Sequence, residues 1–201
     1  MGILYKKHIL ATRNTQTEKV FEGLWGELTF EQVPYSTPKE YVMNYWKRYK
    51  AGPIQNNALN GKIWECIIYT LLYREGLLPF YSQAKVAFVP NVEFDALFYT
   101  SSCPISLSFK TSLRERYKQA DLEAIALRYV HRRAKSFLLT LDPDEAASCK
   151  EKIKTGDIIG IDRVIDCNTT DIDDLIKELH LIKDEFSLSP QVDVVTGNLI
   201  Q

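Results

Sequence analysis

Three charged residues of this chain have the types and spacing that phosphodiester hydrolysis uses. Asp95 precedes Lys110 by fifteen residues, and Glu123 follows Lys110 by thirteen. A carboxylate can hold Mg²⁺ through oxygen, and the metal stabilises charge on the phosphate and lowers the pKa of the attacking water. A lysine beside that carboxylate can orient or deprotonate the water. We therefore expect Asp95, Lys110 and Glu123 to form a catalytic centre with Mg²⁺ as its cofactor.

A second carboxylate is needed at this centre, because a single one holds Mg²⁺ poorly. Glu123 is the first candidate, with Asp95 as the other metal ligand, and Asp121 and Glu65 compete for the same role. The plainer interpretation is that Asp95 and Lys110 form an ion pair at a strand end. In that case Glu123 is a surface residue of a helix.

The triplet Arg114-Glu115-Arg116 follows the lysine and is suited to reading C·G base pairs. Arginine pairs bidentately with guanine, and glutamate accepts a hydrogen bond from the amino group of cytosine. We expect Ser108 and Lys118, which lie on either side of the triplet, to contact DNA as well. A competing interpretation uses Glu115 differently, since Ser112-x-x-Glu115 is also a capping box that would begin a helix.

These residues require a β-hairpin followed by a helix. The pattern predicts strands over 85–89, 92–99 and 105–110, and a helix over 117–135. Side chains alternate between the two faces of a strand, so Ser108 and Lys110 point the same way. If the second and third strands pair as a hairpin, Asp95 approaches Lys110 near one end.

A helix over 60–75 precedes the hairpin, with apolar residues at four-residue steps, Asn60 as its N-cap and Gly76 as its stop. Glu65 lies on this helix, either exposed at its edge or directed into the active site. Further patterns predict a helix opening at Pro38, strands over 136–141 and 158–165, and a helix over 171–184. The order of elements indicates one α/β (α+β) domain with a mixed sheet flanked by helices.

Composition limits the classes of function. The net charge is −1, but residues 110–135 carry eight Lys/Arg and three Asp/Glu, a balance of +5 against −6 elsewhere. A basic face on a mildly acidic body suits phosphate binding, although a solvated helix surface has the same composition. No apolar run is long enough to span a membrane, and no secretory signal pattern is present. The four cysteines show no C-x-x-C pairing, so we expect reduced thiols and a cytoplasmic protein.

These motifs together resemble the restriction endonucleases of the EcoRII, PspGI and NgoMIV type, within the PD-(D/E)xK nuclease superfamily. Members of this branch carry an aspartate, then Ser/Thr-x-Lys, then a glutamate moved onto the next helix. Asp95, Ser108-Phe109-Lys110 and Glu123 match that pattern. Arg114-Glu115-Arg116 matches the element that reads the CC/GG part of their sites, and Glu65 resembles the extra acidic residue of the leading helix.

The resemblance implies a restriction-endonuclease-like core over about residues 58–145 of a single domain, 1–201. It implies a Mg²⁺-dependent type II enzyme that cuts double-stranded DNA at a short palindromic C·G-containing site, of the CCGG or CCNGG kind. It also implies a homodimer and a cognate DNA methyltransferase in the same system. Trp46, Trp64 and Tyr117 are candidates for stacking on bases.

Two departures and two alternatives stay open. Phe94 occupies the position where the family pattern has proline, and the separation of Asp95 and Lys110 is short for this branch. One alternative is a structure-selective or repair nuclease on the same fold. The other is a DNA-binding protein without activity on a degenerate nuclease fold, which Ser108 favours because most of the superfamily has an acid there.

Overall fold

A computed structural model describes residues 2–13, 15–189 and 194–201. Its centre is a six-stranded mixed sheet with the strand order β5-β4-β3-β2-β1-β6. The strands β1, β2 and β3 form an antiparallel meander, β3, β4 and β5 are parallel, and β6 pairs antiparallel with β1. The bounds are β1 Phe80–Val86, β2 Phe94–Phe98, β3 Ile105–Lys110, β4 Lys135–Thr140, β5 Arg163–Asp166 and β6 Val195–Ile200.

Seven α-helices of the described residues surround the sheet. They are α1 Ile3–Lys6, α2 Gln16–Gly23, α3 Pro38–Ala51, α4 Asn57–Arg74, α5 Arg116–Val130, α6 Pro143–Thr155 and α7 Asp171–Ile182. A 3-10 turn follows α7 at Lys183–Glu185. None of these helices has the length and apolar character needed to cross a lipid bilayer.

The sheet lies between two layers of helices because its strands are apolar on both faces. Phe137 and Leu139 of β4 pack into the core that includes α3, α4 and α7, whereas Leu138 packs into the core beneath α5 and α6. Leu97 of β2 packs with Leu127 of α5 on that second face. This arrangement confirms the predicted mixed sheet flanked by helices.

Local capping signals set where the helices begin. Thr37 and Asp142 accept hydrogen bonds from backbone N–H groups of α3 and α6, and proline occupies the first turn of both helices. Asn56 caps α4, so the predicted N-cap at Asn60 is wrong. The Asn60 side chain instead accepts a hydrogen bond from the Tyr49 hydroxyl, at 2.7 Å.

The structure differs from the sequence expectations at several elements. The strand predicted over 85–89 is wrong in its bounds, because β1 begins at Phe80 and residues 87–88 already form a turn. The helices α1, α2 and α6 and the strand β6 lie outside the predicted elements. The helix predicted over 117–135 ends at Val130, since Lys135 already begins β4. The strand predicted over 158–165 is limited to β5, because backbone N–H groups at 159–161 bind the Asp121 carboxylate instead of a neighbouring strand.

All four cysteines are free thiols. Cys66, Cys149 and Cys167 are buried, and Cys103 is half-buried.

Candidate functional site

Asp95 and Lys110 meet at one end of the central strands, as the hairpin register requires. β2 and β3 pair with Ala96 opposite Leu107, which brings Asp95 beside Ser108 and Lys110. The Asp95 Oδ2 atom accepts hydrogen bonds from Lys110 Nζ at 3.0 Å, from the Phe109 N–H at 2.6 Å and from the Ser108 hydroxyl at 3.3 Å. The predicted approach of Asp95 and Lys110 is confirmed.

The Asp95–Lys110 pair is largely screened from solvent, with side chains 17% and 16% exposed. The Tyr69 hydroxyl donates to the Asp95 carbonyl oxygen at 2.6 Å, which also ties this strand end to α4. Ion pairs in such surroundings interact more strongly than those on an open surface. The position of the pair is therefore well fixed relative to the sheet.

Glu65 lies on α4 with its carboxylate near this pair. Its side chain is only 18% exposed, and Lys62 donates to it at 3.0 Å. Burial raises the pKa of Glu65, Lys62 lowers it, the negative charge of Asp95 raises it further and Lys110 lowers it. Glu65 is therefore part of the same electrostatic neighbourhood, and the interpretation as an exposed edge residue does not fit.

Glu123 reaches the same neighbourhood from α5 on the far side. Burial raises the pKa of Glu123, and the charges of both Lys110 and Asp95 act on it. The Gln119 side-chain amide donates to the Glu123 carboxylate at 2.7 Å. We call Glu65, Asp95, Lys110 and Glu123 the carboxylate site.

Asp121 does not belong to the carboxylate site. It is 9% exposed, and its carboxylate accepts hydrogen bonds from the backbone N–H groups of Ile159, Gly160 and Ile161. A carboxylate used in this way stabilises a loop and has little capacity left for a metal. Asp121 is therefore excluded as an alternative to Glu123.

The carboxylate site fits a hard divalent cation by its chemistry. It contains three carboxylates, which are oxygen ligands, and the raised pKa of Glu65 and of Glu123 reflects burial first and repulsion by Asp95 second, both of which a cation would offset. No three His, Cys, Asp or Glu side chains of the described residues are already arranged around a metal position. Mg²⁺ commonly uses one or two carboxylates together with water and substrate phosphate, so a preformed set of three is not required.

The Arg-Glu-Arg triplet is exposed where the loop after β3 leads into the first residue of α5. Arg114, Glu115 and Arg116 all face solvent, and Lys118 follows on the first turn of the helix. Glu115 pairs with Lys118, which lowers the pKa of Glu115. The helix begins at Arg116 without a side-chain cap, so the capping-box interpretation of Glu115 is wrong.

The aromatic candidates for base stacking have other environments. Trp64 is fully buried and Trp46 packs edge-on against it, so both belong to the core of the helical layer. Tyr117 is half-buried, and the Lys152 ammonium lies 4.1 Å from its ring centroid and donates to its hydroxyl at 3.1 Å. The prediction that Trp64 stacks on bases is therefore wrong.

Sequence reasoning missed two residues that hold the site carboxylates. Lys62 lies three residues before Glu65, and Gln119 lies four residues before Glu123. These spacings place side chains together on one helix face and would have indicated both partners.

A cleft of about 670 Å³ between α6, β5 and α7 contains none of these residues. Its lining mixes cations and anions, including Lys154, Arg163 and Asp162.

The fold has a solved counterpart. A structure titled as the complex of the restriction endonuclease PspGI with substrate DNA superimposes with a TM-score of 0.56, at 18% sequence identity. The match covers 89% of this chain and 84% of that chain. No protein-family model matches the sequence, and no curated protein matches it. The likeness establishes a restriction-endonuclease-like fold.

Proposed function

We propose that the protein is a Mg²⁺-dependent endonuclease that cuts double-stranded DNA at a short palindromic site containing C·G pairs. The observation that carries the proposal is the contact between Asp95 and Lys110 at the end of the central hairpin, with Glu65 and Glu123 beside it. A paired lysine and carboxylate flanked by further carboxylates is the arrangement that hydrolysis of a phosphodiester needs. The solved restriction endonuclease of like fold is a complex with substrate DNA, which supports the same class of ligand.

Each member of the site has a proposed role. Asp95 and Glu123 would hold Mg²⁺, which would supply positive charge at the phosphate and lower the pKa of the attacking water. For Glu123 to do so, its carboxylate would leave the Gln119 amide that it contacts in the described structure. Glu65, held by Lys62, adds negative charge on the opposite side.

Lys110 orients the attacking water through its ammonium group, or it first releases a proton to solvent and then, as the neutral amine, takes the proton of that water. The water oxygen forms a new bond to phosphorus, one bridging P–O bond breaks, and the leaving oxygen acquires a proton from solvent. Ser108 and the Phe109 N–H keep the Asp95 carboxylate fixed during this exchange. The contact of Ser108 with Asp95 favours a role in positioning the carboxylate over the direct DNA contact expected from sequence.

The triplet Arg114-Glu115-Arg116 is proposed to read the C·G pairs in the major groove, with Lys118 on a phosphate. Its exposure leaves both arginine side chains available to base edges. A palindromic site calls for two copies of the reader related by a two-fold axis, so we propose a homodimer. A restriction role further implies a methyltransferase that protects host DNA.

Digestion of long unmethylated DNA by the purified protein tests this function. We expect discrete fragments with Mg²⁺ and intact DNA with EDTA, and the Lys110→Ala variant should leave DNA intact in both. Sequencing of the fragment ends would give the site. A smear would replace the proposal with a structure-selective nuclease, and intact DNA from a folded wild-type protein that binds DNA would favour a non-catalytic role.

A further inference from the structure

The loop that carries the Arg-Glu-Arg triplet is held by a carboxylate from a different element. Glu145 lies in the first turn of α6, thirty-one residues from Arg114, and accepts the Arg114 backbone N–H at 2.8 Å. Its second carboxylate oxygen accepts the N–H of Leu113. One side chain therefore binds two consecutive backbone donors, one just before the Arg-Glu-Arg triplet and one at its first residue.

This contact fixes a backbone conformation that arginine rarely adopts. Arg114 has a φ angle of +37°, in the left-handed region that non-glycine residues seldom occupy. Leu113 is fully buried against the core beneath α5 and α6, which holds the loop from its other side. The direction in which the Arg114 guanidinium leaves the loop therefore depends on the Glu145 contact.

Glu145 is itself tied to the strand end that carries the catalytic lysine. Its backbone N–H donates to Asp142 Oδ1 at 3.0 Å, and the Asp142 N–H donates to the hydroxyl of Thr140 at 3.2 Å. Thr140 ends β4 directly opposite Lys110 of β3. A short chain of contacts thus connects Lys110 to the start of the reader through the neighbouring strand.

We propose that Glu145 is a positioning residue that sets the reading triplet relative to Lys110, so that recognition of the correct base pairs is coupled to cleavage. The inference rests on the proposed function and adds to it a specificity-determining residue. Two charge-assisted bonds to adjacent N–H groups resist rotation of the loop more strongly than one. Loss of Glu145 should therefore weaken base discrimination more than it weakens folding.

The test compares Glu145→Ala, Glu145→Gln and Asp144→Ala with the wild-type protein. Asp144 is the matched control, because it is an exposed acid in the same first turn of α6. For each protein, kcat and KM are measured on a duplex with the identified site and on one with a single C·G pair replaced. Thermal melting followed by circular dichroism checks folding.

We expect Glu145→Ala to lower the ratio of kcat/KM between the two duplexes about tenfold, the size of one lost base contact. Glu145→Gln keeps one acceptor oxygen and should lie between Ala and wild type, and it remains informative if the alanine variant does not fold. Asp144→Ala should keep the wild-type ratio.

Two results would overturn the inference while leaving the proposed function intact. One is an unchanged ratio in both Glu145 variants, and the other is an equal loss of kcat/KM on both duplexes, which a purely structural role would cause. A wild-type protein and an Asp144→Ala variant that both fold but cut neither duplex with Mg²⁺ would overturn the proposed function, and the inference with it.

Discussion

Helix α5 carries two carboxylates that lie two residues apart and have opposite environments. The Asp121 side chain is directed toward the loop before β5, where its carboxylate accepts hydrogen bonds from three backbone N–H groups. Glu123 faces the carboxylate site, where its contact is the side chain of Gln119 on its own helix. Hydrogen bonds satisfy the first carboxylate, whereas burial and the nearby charge of Asp95 raise the pKa of the second.

The surroundings of Asp121 form a closed set of contacts, which we call the Asp121 clamp: Asp121, Arg128, Asp162 and the backbone of 159–161. Arg128 donates to the carbonyl oxygens of Ile159 and Gly160 and to the Asp162 carboxylate. Each charge in the clamp has an opposite charge or several backbone dipoles beside it. In the carboxylate site, Glu65 and Glu123 each accept hydrogen bonds from a single side chain, so these carboxylates keep a capacity for a cation that the Asp121 carboxylate lacks.

Among the changes that distinguish the carboxylate site from the Asp121 clamp, removal of the Lys110 side chain should have the largest effect on the rate of DNA cleavage. Lys110→Ala is expected to slow DNA cleavage by about a thousandfold or more, the range for loss of a general base or acid. Folding should persist, since the lysine lies at a strand end. Plasmid nicking with Mg²⁺ measures the rate, and Lys177→Ala, which removes an exposed lysine paired with Asp174, is the control. Wild-type nicking by Lys110→Ala would show that the site is misassigned.

Asp121→Ala should act on stability instead of chemistry. Three backbone donors lose their acceptor, and a net loss of about 3 kcal/mol in the free energy of unfolding is expected. Urea unfolding measures this loss, and activity per folded molecule should stay near the wild-type value. The neighbouring Glu123→Ala should show the reverse, with little change in stability and a strong loss of cleavage. Equal losses of stability in Asp121→Ala and Glu123→Ala would contradict the assignment of a structural role to Asp121 and a catalytic role to Glu123.

Gly160→Ala probes how closely the clamp is packed. A Cβ atom at this position would lie 2.4 Å from the Asp121 carbonyl oxygen and 2.8 Å from the Ile125 backbone nitrogen. Because both neighbours are backbone atoms of α5, we expect a loss of about 2 kcal/mol by overpacking. Gly61→Ala is the control, since its Cβ meets open space within α4 and should stabilise the helix by roughly 0.5–1 kcal/mol. Thermal melting measures both variants, and equal changes in the melting temperature of Gly160→Ala and Gly61→Ala would contradict the close packing at Gly160.

The smallest effect concerns pH. Glu123 has a folded-state pKa above its ordinary value of 4.5, so the folded protein binds this proton more tightly than the unfolded chain. The contribution of Glu123 to stability is therefore greatest below pH 4.5 and declines as pH rises through the raised pKa. Glu123→Gln should raise the free energy of unfolding by less than about 0.5 kcal/mol at neutral pH and leave it unchanged at low pH. Denaturant unfolding at both pH values measures this change, and a lower free energy of unfolding at neutral pH would contradict the prediction.

The sequence by itself determined the elements whose signals are local. The two-residue period of a strand placed Ser108 and Lys110 on one face, and the hairpin brought Asp95 to them. The apolar spacing of α4 and its end at Gly76 follow from the helical period and from a positive φ angle that glycine tolerates. The position of the Asp95–Lys110 pair within the carboxylate site depends mainly on these short-range rules.

Only the tertiary structure decided which acid on α5 faces the site and what holds the reading loop. The sequence favoured Glu123 but left Asp121 as a competitor, and Asp121 is occupied by backbone N–H groups that lie 38 to 40 residues away. Glu145 likewise reaches the reader across about thirty residues. Such contacts follow from the order of strands in the sheet, which brings distant segments together, and no local period of the sequence records them.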